Sequence, residues 1–131
     1  LFSSLYSDYY LFKKLYGISV EGNEKDIEYY LKQLRINDKL TINGNELSTV
    51  DLSSGQRKRV ALLLCYLDNK DIYVFDEWAA DQDVVFREFF YRELLPTMKA
   101  EGKTIIAITH DDRYFDVADQ IIHMDFGKVR K

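Results

Sequence analysis

The chain has 131 residues, 47% of them hydrophobic, so it has the size of one domain and enough apolar residues for a packed core. Its net charge of −4 argues against a general nucleic-acid binder, which needs a basic face, but not against a local phosphate site. The longest apolar run has eight residues, Val60 to Leu67, far short of the roughly 20 that cross a bilayer. We therefore expect no nucleic-acid partner and no direct membrane insertion by this segment.

The first third of the chain is predicted to be mostly helical. The opening "LFSSLY" is typical of a strand, and, since the chain starts without Met or a leader pattern, we expect it to be part of a longer protein. "YYLFKKLYGI", ending at Gly17, indicates a short helix. Asn23 can cap a second, amphipathic helix, and Asn43 with Gly44 favours a tight turn in the polar loop that follows. Four apolar residues recur at helical spacing in that second helix: Ile27, Tyr30, Leu31 and Leu34.

The rest of the chain alternates predicted helices and strands. An apolar helix is predicted from about Gly55 to Leu67, and we interpret Cys65 in it as a small buried core residue. A strand "DIYVFDE" follows, then a helix over roughly 82–95 that Pro96 stops, then the strand "GKTIIAITH" and two short strands around Gly127. Apolar, β-branched strands separated by a helix predict a parallel sheet covered on both faces.

Two adjacent acids end the strand "IYVFDE". Ionised carboxylates are costly beside an apolar sheet unless a positive group meets them, and α/β sheets bind ligands at the carboxyl ends of their strands. Because neighbouring strand positions point to opposite sides, we expect Asp76 and Glu77 to have different roles. One can hold Mg²⁺ through its water shell while the other faces a reacting water; the alternative is a strand end that simply enters solvent.

Two other motifs could contact phosphate. "LSSGQ" places Ser53, Ser54 and Gly55 at a helix N-terminus, where free N–H groups attract anions, although an ordinary N-cap is the alternative. His110 ends the next strand and could contact a terminal phosphate or hold an attacking water; the alternative is a structural histidine, the interpretation we give His123. The neighbouring Arg57, Lys58 and Arg59 are predicted to be solvated charges.

The spacing of these motifs is consistent, with 20 positions from Gln56 to Asp76 and 33 from Glu77 to His110. Together "LSSGQRKR", "IYVFDE", "AADQD" and "ITHD" resemble the ATP-binding cassette (ABC) ATPase domain over essentially all 131 residues. The resemblance implies an α/β, P-loop NTPase-like fold with a parallel sheet, flanking helices and a small helical subdomain. The subdomain is expected at about 9–50, with 1–8 and 51–131 forming the α/β lobe.

The resemblance also implies roles for individual residues. Asp76 matches the Walker B aspartate associated with Mg²⁺, Glu77 the glutamate that polarises the attacking water, Asp83 the D-loop aspartate and His110 the switch histidine. Ser7 stands where the family has the Q-loop glutamine, so the resemblance supports no metal or water contact there. The ABC signature, which contacts ATP held by a partner domain, corresponds to Ser53, Ser54, Gly55 and Gln56, with Ser54 where glycine is usual.

The phosphate-binding motif G-x-x-x-x-G-K-[ST] does not occur in the chain. The resemblance therefore implies an incomplete domain, the C-terminal part of one ABC ATPase domain lacking Walker A. ABC domains pair head to tail, so this part would supply the signature half of one site and the water-activating half of the other. ATP and Mg²⁺ are the implied cofactors. The full-length parent is expected to be an ATPase and the isolated chain to be inactive.

Longer stretches narrow the resemblance. "DEWAADQD", "FREFFYRELLP" and "HDDRYFDVADQI" are similar to bacterial exporters of cyclic peptides and related siderophore-type products. This implies a second ABC domain and a transmembrane domain as partners, at the cytoplasmic face of the bacterial inner membrane, with 9–15 as the strip that contacts the membrane domain. The alternative is the C-terminal lobe of a non-transport, chromosome- or DNA-repair-type ABC ATPase, although no long heptads are seen. A non-enzymatic module is a third alternative, which the presence of Asp76, Glu77 and His110 disfavours.

Overall fold

The computed structural model describes residues 24–43, 46–49 and 51–130, together with the backbone of residues 2–5. Several expectations fall on other residues and lie outside the described part: Ser7, the contact strip 9–15, the helix in "YYLFKKLYGI" and the cap at Asn23. In chain order the elements are β1 (Phe2–Leu5), α1 (Glu24–Gln33), β2 (Ile42–Asn43), β3 (Glu46–Leu47), α2 (Ser54–Asp68), β4 (Ile72–Asp76), α3 (Val84–Phe89), a π-helical turn (Phe90–Leu94), α4 (Leu95–Ala100), β5 (Thr104–Ile108), a 3₁₀ helix (Asp112–Val117), β6 (Met124–Asp125) and β7 (Lys128–Val129).

A three-stranded parallel sheet in the order β1-β4-β5 forms the centre of the fold. Along β4 every second residue is buried, with Tyr73 and Phe75 almost fully enclosed. The predicted parallel sheet is therefore confirmed. The predicted cover on both faces is wrong for β5, where Ile106 and Ile108 are 52% and 50% exposed. β5 is an edge strand, and no described strand pairs with its free side.

Helix α2 is the most buried helix of the described chain. It begins one residue before the predicted Gly55 and ends one after Leu67, and the run from Val60 to Cys65 is buried throughout. Asn69 ends the helix in the left-handed conformation, with φ of 50°. Neither α2 nor any other helix within the described residues is long and apolar enough to span a membrane.

An aromatic cluster fills the space between β4 and the helices that follow it. The Trp78 ring stacks on Phe90 with 4.5 Å between centroids, and Phe90 meets Phe75 edge-to-face at 5.4 Å. Phe86 packs against Trp78 at 5.8 Å. Such contacts add to the hydrophobic burial of large side chains, so this cluster fixes the position of the chain directly after β4.

The segment before α2 packs onto the same core. Ile27, Leu31 and Leu34 are buried and Tyr30 is half-buried, which confirms the predicted amphipathic helix α1. The polar loop after it contains the short antiparallel pair β2 and β3. The predicted tight turn at Asn43 and Gly44 falls on residues 44–45, which lie outside the described part. The subdomain boundaries at about 9–50 stay a prediction.

The helix that follows β4 does not stop at Pro96, and that prediction is wrong. The chain passes from α3 through a π-helical turn, in which the Leu95 N–H donates to the carbonyl of Phe90, into α4, which ends at Ala100. Proline lacks an N–H and crowds the carbonyl four residues earlier, but it is tolerated in the first turn of a helix. The π-helical turn makes Pro96 such a first-turn residue, and the helix can therefore continue.

Candidate functional site

The carboxyl ends of β4 and β5 bring Glu77 and His110 together. Asp76 and Ile108 are paired in the parallel register, and the Glu77 N–H donates to the Ile108 carbonyl at 3.0 Å. His110 Nε2 then lies 3.2 Å from Glu77 Oε1. The imidazole is 97% exposed and the carboxylate 30% exposed, so one face of the pair is open to solvent.

Glu77 has two unusual features. Its φ is 52°, in the left-handed region that costs a non-glycine residue about 1–3 kcal/mol. Its Oε1 is buried and has no hydrogen-bond partner among the described residues, since the nearby imidazole lies within ion-pair distance without hydrogen-bond geometry. We expected Asp76 and Glu77 to point to opposite sides of one strand. Instead, β4 ends at Asp76, and the left-handed backbone of Glu77 turns the chain away from the strand. A strained residue with an unsatisfied buried oxygen is typical of a functional site.

Asp76 is half-buried at the end of β4, beside Glu77. Within residues 24–43, 46–49 and 51–130, no cluster of three His, Cys, Asp or Glu residues could hold a metal by itself. Mg²⁺ keeps several waters and is usually bound through one or two carboxylates and substrate phosphates. Asp76 fits a hydrated Mg²⁺ of that kind, and the described residues around it form no site that encloses a bare cation.

The "LSSGQ" motif forms the N-terminus of α2. Ser53 is the N-cap: its Oγ accepts from the Gln56 N–H at 3.2 Å, while Gln56 Oε1 accepts from the Ser53 N–H at 3.0 Å. This capping box fixes the first turn of the helix. The alternative of an ordinary N-cap is thus realised by Ser53, and Ser53 and Ser54 remain exposed at the helix tip.

The loop that follows β4 lies against this helix tip. Lys58 is buried and donates from Nζ to Asp81 Oδ1 at 2.8 Å and to the Trp78 carbonyl at 3.3 Å. The Trp78 indole N–H donates back to the Lys58 carbonyl at 3.2 Å, and Ser54 Oγ donates to Asp81 Oδ2 at 3.3 Å. The prediction of a solvated charge at Lys58 is wrong, because Asp81 and the Trp78 carbonyl satisfy the ammonium inside the fold.

Arg59 and Gln82 make a second set of bonds between the same elements. Gln82 is buried, donates to the Gly55 carbonyl at 3.2 Å and accepts from Arg59 Nε at 3.0 Å. The Arg59 guanidinium lies 3.9 Å from the centre of the Phe86 ring and pairs with Asp83 at 3.0 Å. Arg59 is therefore also not the solvated charge that was predicted, whereas Arg57 is exposed as expected.

Asp83 begins helix α3. Its Oδ1 accepts from the Phe86 N–H at 2.8 Å, and its other oxygen meets Arg59. The Phe86 N–H first, and the Arg59 charge after it, hold the pKa of Asp83 below its ordinary value. The side chain is 60% exposed, so Asp83 can also meet groups outside the described chain.

Arg87 connects this loop to the segment after His110. Its guanidinium donates to the Gln82 carbonyl at 2.9 Å and lies 3.5 Å from Asp111, while its Nε is buried with no partner among the described residues. Arg113 first, and Arg87 beyond it, hold the pKa of Asp111 below its ordinary value. The residue after His110 is thus fixed by two arginines.

The predicted site residues fall into two groups. Asp76, Glu77 and His110 lie at the end of the sheet, whereas the signature residues lie with Asp83 at the tip of α2; among the described residues no hydrogen bond or ion pair joins the groups directly. Sequence reasoning missed the residues that fix the loop between them: Lys58, Arg59, Asp81, Gln82 and Arg87. The helical spacing of Lys58 to Ala61, Leu62 and Cys65 could have indicated that it faces the core.

Comparison with known proteins places the chain beside ATP-binding proteins of transporters. It is 48% identical over 132 residues to the ATP-binding protein SyrD of Pseudomonas syringae pv. syringae, covering 98% of this chain and 23% of that protein. It is 34% identical over 116 residues to the energy-coupling factor transporter ATP-binding protein EcfA2 of Ureaplasma parvum serovar 3, covering 88% of this chain and 26% of that protein. No protein-family model matches.

A solved structure confirms the fold. A bacterial Atm1-family ABC exporter with ATP bound superposes with a TM-score of 0.71, at 24% sequence identity, over 99% of this chain and 24% of that chain. The α/β, P-loop NTPase-like fold class is thereby confirmed, and the match covers only part of the larger structure. The chain likewise spans about a quarter of the length of SyrD and of EcfA2.

Proposed function

Because this chain belongs to the family of ABC transporter ATP-binding proteins, we propose that it is the C-terminal part of one ABC ATPase domain. In the full-length protein this domain hydrolyses ATP and couples hydrolysis to transport. The part of the domain in this chain consists of residues 1–8 and 51–131 of the α/β lobe and a helical subdomain at about 9–50. The uncovered face of β5 supports the view that further chain packs against the sheet, since half-exposed isoleucines at two positions of one sheet face are normally covered.

The single observation that carries the proposal is the state of Glu77. Its buried Oε1 lacks a hydrogen-bond partner among the described residues, its backbone is strained, and His110 Nε2 lies 3.2 Å away. A carboxylate held in this way is suited to accept a hydrogen bond from a water and to orient it for attack on a phosphate. His110, which is almost fully exposed, is placed to contact the same phosphate.

Asp76 is the residue that we propose to hold the hydrated Mg²⁺ of bound ATP. The ion, when present, would neutralise charge on the phosphate oxygens. What the protein supplies is the position of Asp76, which its pairing with β5 fixes next to Glu77. Ser7 lies outside the described residues, and we assign it no role.

The second group of residues serves the other site of a head-to-tail pair. Ser53, Ser54, Gly55 and Gln56 are exposed or half-exposed at the tip of α2. We propose that they contact ATP bound by a second ABC domain, with Asp83 beside them in the D-loop. The free N–H groups at the start of a long, capped helix favour an anionic ligand.

The transported compound is proposed from sequence. The stretch "DEWAADQD" and those after it resemble exporters of cyclic peptides, so we propose a cyclic peptide or similar compound as cargo. A transmembrane domain at the cytoplasmic face of the bacterial inner membrane is the proposed partner. Uptake of a labelled cyclic peptide into inverted vesicles that contain the full-length protein should depend on ATP and should fail in vesicles without the protein.

ATP turnover by the full-length protein tests the proposal most directly. Glu77→Gln should lower kcat at least about 100-fold while ATP binding is retained, because the amide cannot accept a water proton as the carboxylate does. Glu93→Gln is the matched control, since Glu93 is exposed on the π-helical turn, and it should leave turnover unchanged. Full activity of Glu77→Gln would contradict the proposed role.

The isolated chain offers a second test. It lacks the phosphate-binding motif, so it should bind MgATP weakly and release no measurable phosphate. Equilibrium dialysis with labelled ATP and a phosphate-release assay would measure both properties. Hydrolysis by the isolated chain at an ordinary enzyme rate, abolished by Glu77→Gln, would show that the proposed division between two half-sites is wrong.

A further inference from the structure

We propose that Lys58 and Asp81 are positioning residues, which hold the signature at the tip of α2 and the loop 78–83 together as one unit. The inference rests on the proposed function, because its consequence is that the signature's contact with ATP depends on this ion pair. Neither residue was assigned a role by the sequence motifs, and Lys58 had been expected to lie in solvent.

Lys58 carries a buried charge. Its side chain is 6% exposed, and its ammonium reaches two acceptors, Asp81 Oδ1 at 2.8 Å and the Trp78 carbonyl at 3.3 Å. A buried ammonium is costly unless it is paired and hydrogen-bonded. The loop must therefore stay in the one conformation that presents both acceptors to Lys58.

Trp78 makes this connection reciprocal. Its indole N–H donates to the Lys58 carbonyl at 3.2 Å, and its ring is 1% exposed in the aromatic cluster behind β4. Each of the two residues thus donates one hydrogen bond to the carbonyl of the other, and the pair of bonds joins the start of α2 to the chain directly after Glu77. A shift of α2 relative to the end of β4 would break both bonds at once.

Asp81 carries the connection to the signature itself. While one of its oxygens binds Lys58, the other accepts from Ser54 Oγ at 3.3 Å. A serine hydroxyl has one proton, so Ser54 in this arrangement presents its lone pairs, and not a donor, to other groups. The Ser53 hydroxyl accepts from Gln56 N–H and keeps its own proton for an incoming phosphate. Asp81 thereby anchors Ser54 and holds the tip of α2 in place, while the Ser53 hydroxyl is the one left to donate.

Steady-state kinetics of the full-length protein distinguish positioning from simple stabilisation. We choose Asp81→Asn, since Asp81 is 43% exposed and the variant should fold, and Lys58→Met as the second variant. Each should raise the KM for MgATP by about tenfold with kcat within about threefold of wild type, because ATP contact by the signature is weakened. Lys99→Met is the matched control: it removes the exposed Lys99–Asp119 ion pair and should leave KM unchanged.

A double-mutant cycle tests the contact with Ser54. If Asp81 acts through the Ser54 hydroxyl, Asp81→Asn combined with Ser54→Ala should raise KM no more than the larger single effect. Additive effects of the two substitutions would overturn the proposal. It would equally be overturned if Asp81→Asn and Lys58→Met lowered the melting temperature while KM stayed at the wild-type value.

Hydrogen exchange separates this inference from the proposed function. In the full-length protein without nucleotide, Lys58→Met should increase exchange together in peptides that cover 51–60 and 78–84, and Lys99→Met should not. Increased exchange in only one of these peptides would contradict the proposal that Lys58 holds the signature and the loop 78–83 together as one unit. If the wild-type protein shows no ATP turnover, the proposed function fails, while the exchange result still decides whether Lys58 joins the two segments.

Discussion

The loop at residues 78–83 and the C-terminal segment at 104–130 differ in a way that their compositions do not suggest. The loop contains two aspartates and a glutamine, yet Trp78, Ala79 and Gln82 are buried and every polar group described above has a partner on α2 or α3. The C-terminal segment is rich in isoleucine, yet Tyr114 is its only residue among the described ones that is buried. Burial in this protein follows from which neighbours are present and not from hydrophobicity alone.

The comparison also separates the two halves of the proposed chemistry. The signature and its loop are fixed by contacts that lie entirely within the described chain. Glu77 and His110, by contrast, lie at the carboxyl ends of β4 and β5, and no described strand pairs with the free side of β5. The signature and its loop should therefore tolerate few substitutions. The stability of the region around Glu77 and His110 should depend on what packs against β5.

Of the substitutions considered, Trp78→Ala should lower the free energy of unfolding most. A small loss would show that the loop at 78–83 is not more firmly packed than the C-terminal segment. Trp78→Ala leaves a cavity in the aromatic cluster and removes the bond to Lys58, so we expect a loss of about 3–5 kcal/mol in the free energy of unfolding. Urea unfolding followed by circular dichroism measures it. Phe126→Ala, at a side chain 98% exposed in the C-terminal segment, should change stability by less than about 0.5 kcal/mol.

Arg59, which is packed in the fold, and Arg57, which is exposed, should respond differently to replacement by lysine. Arg59→Lys keeps the charge but loses the planar group that bonds Gln82 and stacks on Phe86, and we expect a loss of about 1–2 kcal/mol. Arg57→Lys, two residues earlier and exposed, is the control and should be neutral. Equal effects of the two substitutions in thermal unfolding would show that the loop contacts of Arg59 do not stabilise the fold.

The capping box at the start of α2 should contribute less. Ser53→Ala removes the acceptor for the Gln56 N–H, which should cost about 1 kcal/mol, and Ser53→Asp should restore most of it because aspartate caps equally well. Urea unfolding of the three proteins gives the comparison. Failure of Ser53→Asp to restore stability would mean that the hydroxyl stabilises the helix in some way other than as a cap.

The strain at Glu77 can be measured against a variant that lacks it. Both Glu77→Gly and Glu77→Ala remove the unsatisfied carboxylate, but only glycine adopts φ near 52° without strain. We expect the glycine variant to be more stable than the alanine variant by about 0.5–1 kcal/mol. A more stable alanine variant would show that the left-handed backbone at this position is not strained.

The smallest predicted effect concerns pH. The pKa of Asp83 is lowered in the folded protein, so its charge stabilises the fold above its unfolded pKa of about 4, and this contribution is lost as the pH falls through the lower folded pKa. Asp83→Asn retains a cap but loses the Arg59 pair, so it should be slightly less stable than wild type at pH 5–7. The difference in melting temperature should narrow as the pH falls below about 4, and Asp125→Asn, on the exposed hairpin, should stay close to wild type throughout.

Much of the fold could be predicted from local patterns. The boundaries of α2, the strands β4 and β5 and the hairpin at Gly127 follow from hydrophobic periodicity and turn residues, which act over a few positions. The extent of the helix after β4 could not, because the π-helical turn before Pro96 forms as part of the packing of Phe90 and Tyr91 in the core. The roles of Asp76, Glu77, Asp83, His110 and the signature residues stay proposals for the experiments above.

The sequence by itself determined the family, the parallel strands and the candidate residues, because motifs at consistent spacing and alternating hydrophobicity are properties of the chain's order. Only the tertiary structure decided that Lys58 is buried, that Asp81 and Gln82 join the loop to α2, and that Glu77 leaves the strand with an unsatisfied oxygen. These features depend on pairs of residues more than 20 positions apart, such as Lys58 and Asp81. The free energy of a buried charge is set by the partner that folding brings to it, and no local pattern records that partner.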